Sequence, residues 1–337
     1  QWGEEFARGL GRAVGSVAEG RGDAADRALD LPLGAPGEPA ALPADWLRAL
    51  RPVAMGPLLD TLSITTVGLH TPQHMRRRAE ALNLSGFKVA DDPEGRPGQS
   101  LALAEDSVLG TVVLAGEAAR ASGLLVANAV RPFAHTGFAG AVFQLGCGLM
   151  DRDTKLRLHR GVRPSVDTPL CAGCGSCLGA CIFDAIKIRG GRAAIDHELC
   201  VGCGSCMTAC HLAGISPRRE GGVAAFQRGV AEAAEAAAGH FGGIGSGKLI
   251  FVNFLLPIGR GDQGGFTRAR FRPANMGALV GTDPVALDQA AWDLLVADAP
   301  QGLRQWSGFP TDPENLLDAA AARGLGEREY HLEKIAG

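Results

Sequence analysis

Apolar residues follow two periods along this chain, and they predict helices and strands in turn. Near the N-terminus, Phe6, Leu10 and Val14 recur at spacings of four, which predicts a helical region over residues 1–30. A connector rich in proline and glycine follows at 31–39. Short β-prone runs then alternate with helix-like runs: the former at 62–67, 111–114 and 123–128, the latter at 72–82 and 117–121.

The alternation resumes in the last third of the chain. Residues 223–238 form an alanine-rich helical run, and residues 248–256 have the character of a buried strand. Asp283 followed by Pro284 is typical of a helix start, because the carboxylate caps free amides and proline fits the first helical position. Helices and strands in alternation predict a layered α/β domain.

The composition is that of a soluble globular chain. The 337 residues are 46% hydrophobic and 20% charged, with a formal charge of −3, so the basic excess of a nucleic-acid binder is lacking. The longest apolar run, 249–258, is shorter than the ~18 residues that span a bilayer, and no membrane span is expected. The chain begins at Gln1 rather than at a methionine, so a signal segment before Gln1 is an open alternative.

Eight of the nine cysteines fall in two matching runs, each with the spacing C-x2-C-x2-C-x3-C. The second run repeats the first at one constant offset, which indicates an internal repeat. Three thiolates on a tight loop with glycines can converge on one cube of iron and sulfide, so the pattern predicts two [4Fe–4S] clusters as cofactors. The first run is Cys171, Cys174, Cys177 and Cys181, and the second is Cys200, Cys203, Cys206 and Cys210.

Zinc sites and disulfides are the alternative interpretations of the two runs. C-x2-C pairs also hold zinc, but a pair of zinc knuckles does not require the third and fourth cysteine of each run. Disulfides are the weaker alternative. Reduced thiolate ligands and oxygen-labile clusters favour a cytoplasmic location.

The α/β pattern stops before the cysteine runs and continues after them. Residues 166–215 are therefore predicted to be a small insert in a discontinuous α/β host domain, which consists of residues 1–165 and 216–337.

The runs resemble those of two-cluster bacterial ferredoxins, in which the fourth cysteine of each run ligates the other cluster. The resemblance implies that Cys210 completes the cluster of the first run and that Cys181 completes the cluster of the second. Ile182 and His211 stand where the bacterial pattern has proline, so hydrogen bonding around the clusters is expected to differ.

Outside the cysteine runs, further stretches carry a family resemblance. They are Leu59–Ile64, His135–Ala141, Leu145–Gly148, Lys155–His159, Val252–Leu255 and Thr282–Ala290. Together and in this order they resemble the domain of unknown function 362 family in its iron–sulfur form. The resemblance implies a layered α/β host with an inserted α+β ferredoxin-like domain that holds two [4Fe–4S] clusters.

Two stretches depart from this family pattern. Arg131 replaces a lysine that many members carry shortly before the position of His135. Many members also have a Cys-Asp-Cys stretch after the strand at 252–255, whereas residues 259–265 here contain no cysteine. Any additional metal centre built there is expected to be lost.

A catalytic site is predicted where the host meets the insert. His135, Lys155 and His159 lie in or beside the glycine-rich stretch that leads into the first run, and such groups suit acid–base or substrate chemistry. In the alternative interpretation, Lys155 and His159 only cap the join between the domains.

Four further residues have candidate roles. Asp60, His70 and His74 could contribute to the same cleft or to a metal site, with ordinary structural roles as the alternative. Cys147 lacks ligand spacing to the other cysteines and is predicted to be a buried thiol.

These features predict an iron–sulfur electron-transfer protein that passes single electrons to a site on its host domain or to a docked partner. A catalytic host site would make it an oxidoreductase with a small-molecule substrate, and a redox partner protein is expected in either case. The alternatives are a metabolite-binding protein with structural or sensory clusters, and an iron–sulfur or metal delivery protein.

Overall fold

The structure is a computed structural model, and it describes residues 4–21, 27–33, 44–64, 70–107, 109–217, 221–256, 277–297 and 311–335. Helices in these ranges are α1 Glu4–Ala18, α2 Ala44–Leu50, α3 Pro72–Ala81, α4 Gly116–Ala119, α5 Ala141–Phe143, α6 Arg152–Arg160, α7 Ser176–Gly179, α8 Ser205–Ala209, α9 Gly222–His240, α10 Pro284–Ala297 and α11 Glu314–Ala322. Arg51–Val53 forms a 3-10 turn, and Gln144–Gly148 continues α5 as a π-helical turn.

Thirteen strands lie in the same ranges. They are β1 Arg27–Asp30, β2 Leu58–Asp60, β3 Phe87–Val89, β4 Gln99–Ala102, β5 Thr111–Leu114, β6 Gly123–Phe133, β7 Gly137–Ala139, β8 Pro164–Val166, β9 Ile186–Arg189, β10 Arg192–Ile195, β11 Ile215–Pro217, β12 Leu249–Leu255 and β13 Gly277–Gly281.

A mixed sheet forms the centre of the molecule, in the order β13-β12-β6-β1-β2-β3. Neighbours from β12 to β3 are parallel, and β13 pairs antiparallel at the edge. All seven residues of β12 are buried, which explains why six of them are apolar and only Asn253 is polar, since a parallel strand is covered on both faces. The α/β class predicted from the sequence is confirmed.

Helices cover the sheet on both faces. On one face, Leu29, Leu125 and Ile250 pack in a core with Trp46 of α2, whose ring stacks on Phe254 at a centroid distance of 5.0 Å. The opposite face packs against α5, the π turn and α9. No helix within the described ranges is long and apolar enough to cross a membrane.

The connections reverse direction beside β1. β2 and β3 follow on one side of β1, whereas β6 and β12 lie on its other side. At such a switch point the loops leave the carboxyl ends of the two central strands in opposite directions and open a crevice, which is where open α/β sheets bind ligands. Here the switch point lies between the carboxyl ends of β1 and β6.

The sequence prediction was wrong in two N-terminal places. The helix expected over 1–30 ends at Ala18, and Arg27–Asp30 is instead the buried strand β1. A strand of four residues buried on both faces has no alternation to reveal it. The strand expected at 62–67 lies earlier, at Leu58–Asp60; residues 62–64 have no regular structure, and 65–67 lie outside the described residues.

The predicted helices at 72–82, 223–238 and after Asp283 are confirmed within a few residues. Asp283 caps α10 as expected, because its Oδ1 accepts hydrogen bonds from the amides of Val285 and Ala286 at 2.9 and 2.8 Å. Capping and helical periodicity are local signals, so a single sequence suffices to find them.

The segment with the cysteine runs leaves and rejoins the rest of the chain at one place. β8 and β11 pair antiparallel, with Val166 opposite Ile215. Between them lie the short helices α7 and α8 and the hairpin β9–β10. Most buried apolar side chains of this segment cluster with one another and with Ala134 of the sheet region.

Candidate functional site

The eight cysteines of the two runs line two small cavities. The first cavity is lined by Cys171, Cys174 and Cys177 of the first run together with Cys210 of the second. The second cavity is lined by Cys200, Cys203 and Cys206 of the second run together with Cys181 of the first. None of these cysteines forms a disulfide. Each cavity therefore combines three cysteines of one run with the fourth of the other.

Corresponding loops of the two runs have the same local geometry. Gly175 and Gly204 precede α7 and α8 with φ values of 80° and 86°, a left-handed conformation that favours glycine. The following serine hydroxyls lie 3.5 Å from the sulfurs of Cys174 and Cys203. The amide of Ala193 also donates to Cys171 Sγ at 3.3 Å. The loops thus turn tightly around the sulfurs and place polar groups beside them.

Within the described ranges, no three histidine, cysteine or acidic side chains lie close enough together to hold a single metal ion. Burial raises the pKa of Cys206, which lies near the thiols of Cys200, Cys203 and Cys181. Four thiols around the second cavity are thus close enough to affect one another electrostatically.

The loop of the second run lies directly against the host. The ring of His135 forms a hydrogen bond through Nε2 with the carbonyl of Gly202 at 3.0 Å. A Cβ at Gly202 would collide with the backbone carbonyl of His159, and φ at Gly202 is +79°. Only glycine fits this close approach without a shift of the backbone.

His135 and His159 form a buried pair beside this loop. Their ring centroids are 5.8 Å apart, and both rings contact Phe226. His159 Nδ1 donates to the carbonyl of Lys155 at 2.8 Å, while His135 Nε2 donates to Gly202. The other nitrogen of each ring therefore bears a lone pair, which has no partner among the described residues. Burial lowers the pKa of His135 to about 3 and that of His159 to about 4, which keeps both rings neutral at pH 7.

The side chain of Lys155 points away from the histidine pair. Its Nζ donates to Thr61 Oγ1 and to the carbonyl of Leu62, at 2.5 and 3.0 Å, where β2 ends. The structure thus brings His135 and His159 together beside the second run, whereas the Lys155 ammonium lies with groups at the carboxyl ends of the strands.

Buried carboxylates gather around Lys155 at these strand ends. Burial and the neighbouring Asp60 raise the pKa of Asp30 to about 8, and burial raises the pKa of Asp60 to about 6. Gln144 of the π turn donates to Asp30 Oδ2 at 2.8 Å, and the amide of Leu33 donates to Asp60 Oδ2 at 2.8 Å. One cation and several carboxylates therefore share a region of low dielectric.

Three oxygens near the switch point have no hydrogen-bond partner among the described residues. They belong to side chains with no solvent exposure: Asp30 Oδ1, Asn128 Oδ1 and Asn253 Oδ1. The amide nitrogens of Asn128 and Asn253 donate to Ala139 O and Asp288 Oδ1. These oxygens on β1, β6 and β12 thus lack hydrogen-bond partners, which bound water or a polar ligand would supply.

The other candidates from the sequence are Cys147, His70, His74 and Arg131. Cys147 is buried in the main core, and burial raises the pKa of its thiol to about 11, which confirms a buried structural thiol. His70 and His74 stack edge to face at 5.3 Å around the start of α3. Arg131 lies on β6, and residues 259–265 lie outside the described residues.

Sequence reasoning missed the buried polar residues Asp30, Asn128 and Gln144. A signal was present for Asp30, which follows a short apolar run and ends β1, whereas Asn128 lies inside β6. Gln144 gave no such signal, since its role depends on the π turn, which no local pattern announces.

The fold defines a mixed α/β protein with a mainly parallel sheet. A family model described as Domain of unknown function (DUF362) matches residues 73–293, and the chain belongs to this family, as its resemblance predicted. Among solved structures, the chain aligns with the lactate racemase apoprotein from Thermoanaerobacterium thermosaccharolyticum, at 14% sequence identity and a TM-score of 0.36, over 83% of this chain and about half (52%) of that protein. No curated protein matches the sequence.

Proposed function

We propose that the two cysteine cavities hold two [4Fe–4S] clusters and that the protein transfers single electrons. The observation that carries the proposal is the grouping of the cysteines, three from one run with the fourth from the other around each cavity. This grouping is what the ferredoxin-type spacing requires. A bound [4Fe–4S] cluster gains and loses one electron at a time.

The donor set suits such clusters better than it suits zinc. In a cube of iron and sulfide each thiolate binds a different iron atom, so the four sulfurs stand further apart than the ligands of one ion. The described residues contain no group compact enough for a single ion, yet they contain two sets of four cysteines around cavities. The amide and hydroxyl groups near the sulfurs would tune the reduction potentials.

The host residues beside the second cavity connect it to a site that could receive the electron. The Gly202 loop touches the His135–His159 pair, and Lys155 continues from His159 towards the strand-end carboxylates. A small molecule bound at the switch point would find an acceptor in the amide oxygen of Asn128, a donor in the neutral carboxyl group of Asp30 and a cation in Lys155. We propose that electrons reach this host site through the second cavity.

Cysteine pairs test both the cofactors and their ligands. Anaerobically reconstituted wild type should contain about eight iron atoms per chain and give an electron paramagnetic resonance signal after reduction with dithionite. Under the crossed grouping, Cys181→Ala with Cys203→Ala removes ligands from one cluster and should leave about four iron atoms. Cys181→Ala with Cys174→Ala removes ligands from both clusters and should leave almost none.

The same measurements can contradict the proposal in two ways. The double variant Cys181→Ala with Cys203→Ala could lose all its iron while Cys181→Ala with Cys174→Ala keeps half. Each cluster would then be held by the four cysteines of one run. Stoichiometric zinc in place of iron and sulfide would exclude the redox function. Cys147→Ala is the matched control, because this cysteine lies outside both cavities and its loss should leave the iron content unchanged.

A further inference from the structure

Asn128 and Asn253 are neighbours in the centre of the sheet. They lie opposite each other in the parallel pairing of β6 with β12. Their side chains project from the same face, because Val126 and Phe251, two residues earlier on each strand, both pack in the core between the sheet and α9. Neither asparagine has any solvent exposure. Two amide groups are thus buried side by side, on strands about 4.8 Å apart.

Hydrogen bonds fix the orientation of both amides. Asn128 Nδ2 donates to the carbonyl of Ala139 at 3.2 Å, and Asn253 Nδ2 donates to Asp288 Oδ1 at 2.6 Å. Turning either amide over would set its oxygen against another oxygen, so chemistry determines which end is which. Neither Asn128 Oδ1 nor Asn253 Oδ1 has a hydrogen-bond partner among the described residues. Two buried acceptors on adjacent strands therefore need a positive partner, either the hydrogens of water or a cation.

The carboxylate of Asp288 favours a cation over water. This side chain is fully buried, and the amides of Ala141 and Val142 donate to it at 2.7 and 2.9 Å. Burial raises its pKa to about 6, so the group is mainly ionised at pH 7. Its hydrogen-bond donors are all neutral, and Asp288 forms no ion pair with any described residue. A negative charge without a counter-ion thus lies directly behind the amide of Asn253.

From this arrangement we infer that Asn128 and Asn253 bind a monovalent cation, of the size of sodium, potassium or ammonium, between β6 and β12. Neutral carbonyl oxygens can replace the hydration shell of such an ion, and Asp288 supplies the compensating charge. A divalent ion takes carboxylates as direct ligands, whereas the Asp288 oxygens already accept three hydrogen bonds. The site is independent of the clusters. An amide oxygen has two lone pairs, so Asn128 can also accept a hydrogen bond from a ligand at the switch point.

Cation-dependent stability tests the site on the full, reconstituted chain. The melting temperature in the chlorides of sodium, potassium and ammonium is compared with that in tetramethylammonium chloride at equal ionic strength. The tetramethylammonium ion is too large to fit between neighbouring strands. A bound ion should raise the melting temperature by about 2 °C or more and should do so saturably, because it stabilises only the folded chain. The chloride with the largest effect identifies the ion. Equilibrium dialysis against rubidium, which substitutes for potassium, should find about one ion per chain.

Substitutions locate the ion. Asn128→Leu and Asn253→Leu each remove one oxygen at similar side-chain volume, and either should abolish the cation-specific rise. Gln227→Met is the matched control, because Gln227 is a buried amide on α9 whose Oε1 also lacks a partner among the described residues. This variant should lower the melting temperature in every salt and keep the cation-specific rise.

Two results would overturn the inference. One is a wild type with equal melting temperatures in all four salts and no bound rubidium, which decides the matter whether or not the variants fold. The other is a cation-specific rise that persists in both asparagine variants. Neither result depends on the iron content, so a failure of the cation site is distinct from a failure of the clusters.

Discussion

Asp30 couples the stability of the fold to pH. Its pKa is about 8 in the folded chain, against an ordinary value of about 4 in the unfolded chain. Between these values the folded chain retains a proton that the unfolded chain has released, so the free energy of unfolding falls as pH rises from about 4 to about 8. An asparagine at this position cannot ionise, so Asp30→Asn should remove this fall in the free energy of unfolding.

The melting temperature as a function of pH measures the effect. Near pH 4 the melting temperatures of wild type and Asp30→Asn should change with pH at nearly the same rate. By pH 8.5 the melting temperature of the variant, relative to that of wild type, should have risen by roughly 5 °C. Asp153→Asn is the matched control, since this carboxylate on α6 is exposed and should follow wild type. Parallel curves for wild type and Asp30→Asn would show that Asp30 is ionised in the fold throughout this range.

At the level of elements, the contact between the π turn and α9 depends on Gly146. A Cβ at this position would collide with the carbonyl of Val230 on α9. Gly146→Ala should therefore push α9 outward and lower the free energy of unfolding by about 1–3 kcal/mol, as overpacking of a core does. Denaturant unfolding measures this loss.

Gly239→Ala provides the comparison for that substitution. Gly239 lies on α9 with nothing within 4 Å of its added Cβ, so alanine should be neutral or slightly stabilising there. Equal stability of the two variants would mean that α9 shifts without cost, and that the π turn does not depend on close packing.

The elements also show which parts of the fold a single sequence can predict. α9 and α10 were predicted because a helical stripe and an Asp-Pro cap are local signals. β1 was predicted as helix, because a short strand buried on both faces lacks a period. The cysteine spacing predicted the candidate cluster ligands, whereas the placement of Lys155 beside Asp30 depends on tertiary packing of α6 over the strand ends.

At the scale of the whole molecule, the pairing of β8 with β11 predicts that the cysteine segment can be removed. Val166 lies opposite Ile215, so an Asn-Gly turn can replace residues 167–214 and join the two strands as a hairpin. The shortened chain should remain monodisperse and keep the circular dichroism of the host, with no bound iron. Aggregation or loss of the cooperative thermal transition would instead show that the segment belongs to the host core.

The parallel pairing of β12 with β6 has a consequence for synthesis on the ribosome. β6 emerges before the cysteine segment and β12 after it, although the two strands are neighbours in the centre of the sheet. Until β12 arrives, the nascent chain exposes an apolar strand edge on β6, which is a template for self-association. Conditions that slow translation between residues 133 and 249 should thus lower the yield of native protein, even where all eight cysteines of the two runs bind their clusters.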